Sequence, residues 1–153
     1  MRIRPAELED AAAICKVLRQ SITILCVRDH KNDPDILNAW LENKTPETLT
    51  RWIEDPSSQL LVAIEKTDIL AVGGIMKSGE ITLNYVHPSG RFRGISKKMV
   101  NALEARAKEY GAKTCKLNST ATARRFYLAM GYTEGKSGIG TFGITNYPMS
   151  KNI

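Results

Sequence analysis

The run Val86-His87-Pro88-Ser89-Gly90-Arg91-Phe92-Arg93-Gly94-Ile95-Ser96 has the composition of an anion-binding turn. Pro88 has no amide to donate, so a strand should end near it. Gly94 then opens an amphipathic helix whose apolar stripe is Ile95, Met99, Leu103, Ala107 and Tyr110. The first amides of a helix have no intrahelical acceptor and carry partial positive charge, which suits a phosphate. Gly94 and Ser96 are small enough to let a pyrophosphate reach that backbone, and Arg91, Arg93, Lys97 and Lys98 surround it with cations. A second group stands further on, at Ala123-Arg124-Arg125-Phe126-Tyr127-Leu128-Ala129-Met130-Gly131-Tyr132. A tyrosine hydroxyl titrates near about 10, so Tyr127 is protonated at neutral pH and could give its proton to a leaving group. On its own it reads more readily as an amphipathic core tyrosine.

These residues need strands to deliver them and helices to hold them. Leu60-Leu61-Val62-Ala63-Ile64 is a continuous apolar run, as in a strand covered on both faces. Lys66-Thr67-Asp68 turns it into Ile69 to Met76, and Lys77-Ser78-Gly79-Glu80 turns again into Ile81 to Val86, which makes an antiparallel meander. In that last strand Ile81, Leu83 and Tyr85 are expected on one face, and Thr82, Asn84 and Val86 on the other. Ahead of the meander the pattern predicts a short strand at 2–5 and a helix on the spacing Ala11, Ile14, Leu18, Ile22, Leu25. A polar break follows over 28–34, then helices near 36–41 and 47–53, the second opened by Thr45 and Pro46. Beyond the turn come a helix over about 94–110 ending at Gly111, a strand at 113–117, a helix at about 120–130 closed by Gly131, and strands near 132–136 and 141–149. The fold class is α/β: a mixed, mostly antiparallel central sheet with helices on both faces, in a single domain over 1–153.

Arg91-x-x-Gly94-x-Ser96 resembles the Arg/Gln-x-x-Gly-x-Gly/Ala signature of the GNAT N-acetyltransferase superfamily, in the same strand–turn–helix setting. Ala123-x-x-Phe126-Tyr127-x-x-x-Gly131-Tyr132 is similar to that superfamily's second motif, in the matching order and after the matching strand. The resemblance implies a GNAT-like fold with a splayed parallel strand pair around Val86 and Leu117. It also implies acetyl-CoA as cosubstrate and acetyl transfer to a primary amine by direct attack in a ternary complex. By the same resemblance Tyr85 and Val86 lie along the pantetheine arm, and a backbone amide near Tyr85 polarises the thioester carbonyl. Arg91, Phe92, Arg93, Gly94, Ile95 and Ser96 surround the pyrophosphate. Asn118 and Thr120 border the slot, one of them also capping the next helix, and Tyr127 is the general acid. Ser96 replaces the usual glycine or alanine. Phe92 stands where glycine is frequent, so its ring must point away from the phosphates or cover the cofactor. For a general base the chain offers Glu80 through water, Asp29 and His30, each more readily read as a surface charge, and His87 reads as structural or as a cofactor contact. The acceptor is not named by any residue.

Composition narrows the alternatives. With 153 residues, 42% of them hydrophobic, the chain can bury a core of ordinary size. Two histidines argue against an imidazole metal site, and three cysteines without paired spacing read as buried free thiols. The net charge of +6 suits an anionic partner. A nucleic-acid domain would cluster basic and aromatic residues on one face, and this pattern is lacking. No apolar run is long enough to cross a bilayer, and Met1-Arg2-Ile3-Arg4-Pro5 lacks a signal-peptide core, so the cytoplasm is the expected location. A homodimer is left open. The rival from another class is a non-catalytic acyl-CoA sensor, which would keep the turn and transfer nothing.

Overall fold

The computed structural model describes residues 1–153. Strands β1 (Arg2–Pro5), β2 (Ser58–Glu65), β3 (Asp68–Met76) and β4 (Ile81–Val86) form one antiparallel sheet in that order. Strands β5 (Thr114–Ser119), β6 (Thr133–Glu134) and β8 (Thr145–Asn152) form a second, in the order β5-β8-β6, and β7 (Gly138–Ile139) pairs with β8. The helices are α1 (Ala11–Gln20), α2 (Val27–His30), α3 (Pro34–Leu41), α4 (Pro46–Glu54), α5 (Ile95–Glu109) and α6 (Arg124–Ala129). None is long and apolar enough to cross a membrane.

The unbroken apolar run of β2 follows from what lies on either side of it. Leu61 and Ala63 pack with Met99, Val100 and Leu103 of α5, while Leu60, Val62 and Ile64 pack with Ile14 and Leu18 of α1 and Leu49 of α4. Alternate side chains therefore enter two separate cores, as the pleat requires. Helix α4 begins as its residues dictate, with Thr45 Oγ1 accepting from the Thr48 amide at 3.2 Å and Pro46 in the first turn. The three cysteines are buried and free.

Several elements differ from the sequence expectation, each for a local reason. Ile81 and Leu83 do not share a face: the register slips between Gly74 and Ile75, pairing Gly74 with Leu83 and Ile75 with Ile81. The extra residue turns Ile81 toward α5 while Leu83 packs with α1. The polar break at 28–34 holds a helical turn, α2, because His30 is fully buried and pinned. Its Nδ1 accepts from the Asn32 amide at 3.0 Å, so Nε2 carries the proton and donates to the Ile22 carbonyl at 3.0 Å. The Ile22 carbonyl, and that of Thr23 at 3.3 Å from the same nitrogen, belong to a π-helical turn, Ser21–Leu25, into which α1 runs. Helix α6 starts only at Arg124, after a turn organised by Thr120, and β8 starts at Thr145, after a tight turn with Phe142 at φ +66°.

Gly73 fixes how closely α5 lies on the first sheet. A Cβ there would stand 2.7 Å from Met99 Sδ and 2.9 Å from Leu103 Cδ1, both side chains being fully buried. Gly73→Val is therefore expected to overpack this contact and cost about 1–3 kcal/mol. Urea unfolding should show a lower midpoint with an unchanged slope; an unchanged midpoint would mean that α5 is free to move away.

Candidate active site

Strands β4 and β5 are the facing edges of the two sheets. They touch through one parallel bridge, Glu80 to Lys116, with the Lys116 amide donating to the Gly79 carbonyl at 3.2 Å. Beyond the bridge they diverge around a cavity of about 320 Å³. Eight of the residues singled out in the sequence line this one cleft: Tyr85, Val86, Arg91, Phe92, Ser96, Asn118, Thr120 and Tyr127. Three do not. The Ile95 side chain is buried in the core with Met99, Arg93 is paired with Glu65 on the outer surface, and Gly94 stands at the start of α5.

Gly94 caps α5 from outside, with φ +73°, a left-handed conformation that favours glycine. A Cβ at Gly94 would meet nothing within 4 Å, so the space in front of the helix start is open. Phe92 is also left-handed, at φ +63°, and 90% exposed, with the Arg91 guanidinium over its ring at 4.5 Å. The turn before them is anchored by His87. Its Nδ1 accepts from the Ser89 amide at 3.1 Å, leaving Nε2 to donate to Gln20 Oε1 at the end of α1. His87 thus ties the phosphate-type turn to the N-terminal helices.

At the other end of the cleft Tyr127 is 5% exposed and packed edge-on against Phe126 and Tyr132. Burial pushes its hydroxyl up to about 12, and the hydrogen bond from Asn84 offsets part of that. Asn84 Nδ2 donates to the Tyr127 oxygen at 3.0 Å, while Asn84 Oδ1 is buried without a partner. Sequence reasoning gave Asn84 a face of β4 and no task. The signal was present: a carboxamide between the apolar residues Leu83 and Tyr85, on the face shared with Val86.

The candidate bases lie elsewhere. His30 is held by backbone on both nitrogens. Glu80 lines a separate cavity with Ser78, Lys116 and Asn118. Asp29 stands at the edge of the cleft with both oxygens engaged. Oδ1 accepts from the Ala121 amide at 2.7 Å, and Oδ2 from the Thr122 amide at 3.3 Å and hydroxyl at 2.5 Å. Thr120 Oγ1 accepts from the Ala123 amide at 3.1 Å, so Thr120 caps the approach to α6.

Residues 26–153 match the family model described as the acetyltransferase (GNAT) domain, and the chain belongs to that family. Solved structures repeat the fold. A GCN5-related N-acetyltransferase from Rhodopseudomonas palustris superposes with a TM-score of 0.88 at 22% identity, over 99% of this chain and 95% of its own. The PaiA N-acetyltransferase of Thermoplasma acidophilum, in complex with coenzyme A, gives 0.83 at 18% identity, over 99% and 98%. YncA of Salmonella typhimurium, a putative acetyltransferase with acetyl-CoA, gives 0.75 at 17%, over 99% and 93%. A comparison with curated proteins gave no match.

Burial raises the hydroxyls of Tyr85, Tyr127 and Tyr132 above the ordinary tyrosine value, the last also through its bond to Glu104. A group that holds its proton more tightly when folded contributes stability below its unfolded pKa, near about 10, and loses it as pH rises through the folded value. Stability should therefore fall from roughly pH 10 upward, the share of Tyr127 being lost through about pH 12. Tyrosinate absorbance from these three side chains should grow together with loss of near-ultraviolet circular dichroism. Their ionisation in a protein that kept its tertiary signal would contradict the burial described.

Proposed function

We propose that this chain transfers an acetyl group from acetyl-CoA to a primary amine, by direct attack of the amine in a ternary complex. The observation that carries this reading is the continuity of the cleft. It runs from the open start of α5, beside Arg91 and Ser96, between two unpaired strand edges, to the buried hydroxyl of Tyr127. Three features suit a coenzyme A thioester. The helix start offers free amides with open space before Gly94. The facing edges of β4 and β5 hold backbone groups in need of partners, which an arm with amides of its own can satisfy. Asn84 Oδ1 is an unpaired acceptor in the wall between them. That the relatives from Thermoplasma and Salmonella were solved with coenzyme A and acetyl-CoA supports the same assignment here.

The thioester supplies an activated acetyl group; the residues of the chain bind it, orient it and move one proton. Arg91, Phe92, Arg93, Gly94, Ile95 and Ser96 form the phosphate end, with Arg93 and Ile95 acting through their backbone, because the Arg93 side chain is paired with Glu65 and that of Ile95 is buried. Tyr85, Val86, Asn118 and Thr120 flank the arm. Asn84 donates to the Tyr127 oxygen, which leaves the hydroxyl proton free for the departing sulfur. Tyr127 is then the general acid. Residues 1–153 work as one domain in this reading. An acyl-CoA sensor would bind the same group and release no thiol.

Gly94→Trp should lower acetyl-CoA affinity at least about tenfold in calorimetry, because the ring fills the space before the helix. The φ of +73° adds a small loss of stability that melting measures separately. Unchanged affinity would remove this turn from the site. Tyr127→Phe keeps the ring and deletes the hydroxyl, so packing should survive. With a proven acceptor its kcat should fall about 10²-fold or more, while acetyl-CoA affinity changes little. Full turnover by the variant would make Tyr127 a packing residue.

A further inference from the structure

We propose that the acceptor is a weakly basic amine that enters the cleft uncharged: the α-amino group of an amino acid, a peptide or a protein N-terminus, in place of a lysine ε-amine or a polyamine. The inference rests on the acetyl-transfer reading above and narrows it. What carries it is the chemistry of the cleft wall. Around Tyr127 that wall consists of Ser, Thr, Asn, Cys and Tyr side chains among apolar ones. It contains no Asp, Glu, His or Lys, and its single charge is Arg91 at the phosphate end.

Of the candidate bases, Glu80 lines the separate cavity with Ser78 and Lys116, and the others are hydrogen-bonded. Asp29 holds two backbone amides and a hydroxyl, and His30 is bonded at both nitrogens inside the core. His87 bridges Ser89 and Gln20. Cys26 lines the cleft as a thiol, since burial pushes it up to about 12. No carboxylate or imidazole lines the wall to take the extra proton of an ammonium. None is there to pair with the second charge of a polyamine, which Arg91 and a chain of net charge +6 would repel.

For a neutral amine the protons balance without a base. The nitrogen–carbon bond forms, the carbon–sulfur bond breaks, and sulfur takes the proton of Tyr127. The nitrogen, left with one proton too many, returns it to the Tyr127 oxygen. An amine and a thioester become an amide and a thiol, with no proton left over. Starting from an ammonium, one further proton must leave, and the cleft offers it no acceptor. Burial acts in the same sense: the environment that keeps Tyr127 and Cys26 protonated also disfavours a cationic nitrogen. An α-amino group titrates near about 7.7–8.0 and a lysine near about 10.4. At pH 7 roughly one α-amine in ten is neutral, against fewer than one lysine in a thousand.

The test uses the intact protein, acetyl-CoA and thiol release at pH 7 with three acceptors: a lysine-free peptide with a free N-terminus, an N-terminally blocked peptide carrying one lysine, and spermidine. The free N-terminus should exceed the other two by about 10²-fold in kcat/KM. Across α-amines of different basicity, the midpoint of the pH profile should follow the pKa of each amine. Equal or faster reaction of the lysine peptide or spermidine overturns the proposal, and so does a midpoint that stays fixed, since that marks a base on the protein. Calorimetry with acetyl-CoA separates the two layers. Binding without thiol release from any amine sinks the transfer reading itself, and the acceptor assignment with it.

Discussion

Strands β4 and β5 meet at the Glu80–Lys116 bridge and part beyond it, and the position of that contact sets the shape of everything above. It depends on Gly79. The backbone there is left-handed, at φ +96°, and a Cβ would run into the Thr114 carbonyl. Only glycine lets β5 come in so close at one end. A sheet that continued pairing past this point would satisfy its backbone groups internally and leave no slot. One that never met would lack a fixed apex. A single close contact followed by divergence gives two ordered edges with unspent hydrogen-bonding capacity, held at a defined angle.

The angle is maintained from behind. Glu104 of α5 accepts from the Tyr132 hydroxyl at 2.7 Å and from Lys151 Nζ at 3.1 and 3.2 Å, so the helix beneath the first sheet is tied to the second. The carboxylate is nearly buried, and it is matched by a cation and a hydroxyl, which is the condition under which such a group is tolerable. Two further ties close the front. His87 fastens the turn at the start of α5 to Gln20, and Asp29 fastens α2 to the turn before α6. The N-terminal helices are thus locked to both rims of the cleft by polar side chains whose hydrogen bonds are internal. That leaves the cleft wall uncharged apart from Arg91.

Much of this was legible in the residues themselves. The strand–turn–helix around Gly94 was visible because Pro88, Gly94 and the apolar stripe from Ile95 obey local rules, and the structure keeps all three. The cap at Thr45 was visible for the same reason, and of Asn118 and Thr120, between which the second cap was left open, the structure uses Thr120. The slip that separates Ile81 from Leu83 was not, since a bulge is decided by packing against Gly74 and leaves the alternation of residue types unchanged. Asp29 and His30 read as surface charges in a polar stretch. Their partners, Ala121 and Thr122 for the one and the carbonyls of the π-helical turn for the other, are supplied by the tertiary fold. Asn84 was hidden similarly, because its task exists only once Tyr127, more than forty positions on, is brought beside it.

Burial has a consequence for the proposed chemistry that runs against simple intuition. A hydroxyl pushed up to about 12 is a poorer acid than free tyrosine, and an ordinary thiol sits near about 8.5. Transfer of its proton to sulfur is uphill by several pKa units, each worth about 1.4 kcal/mol. What offsets the difference is the cation that develops on the attacking nitrogen. An opposite charge a few ångströms away in a desolvated site favours the ionised tyrosine, and more strongly than it would in water. In the proposed transfer Tyr127 therefore becomes a competent donor only while nitrogen is bonding to carbon, and it regains a proton from that same nitrogen afterwards. Before attack the hydroxyl keeps its proton, so it is not a base able to activate water against the thioester. The desolvation that weakens the resting acid thus couples its ionisation to the arrival of an amine, and an uncharged wall around it preserves that coupling.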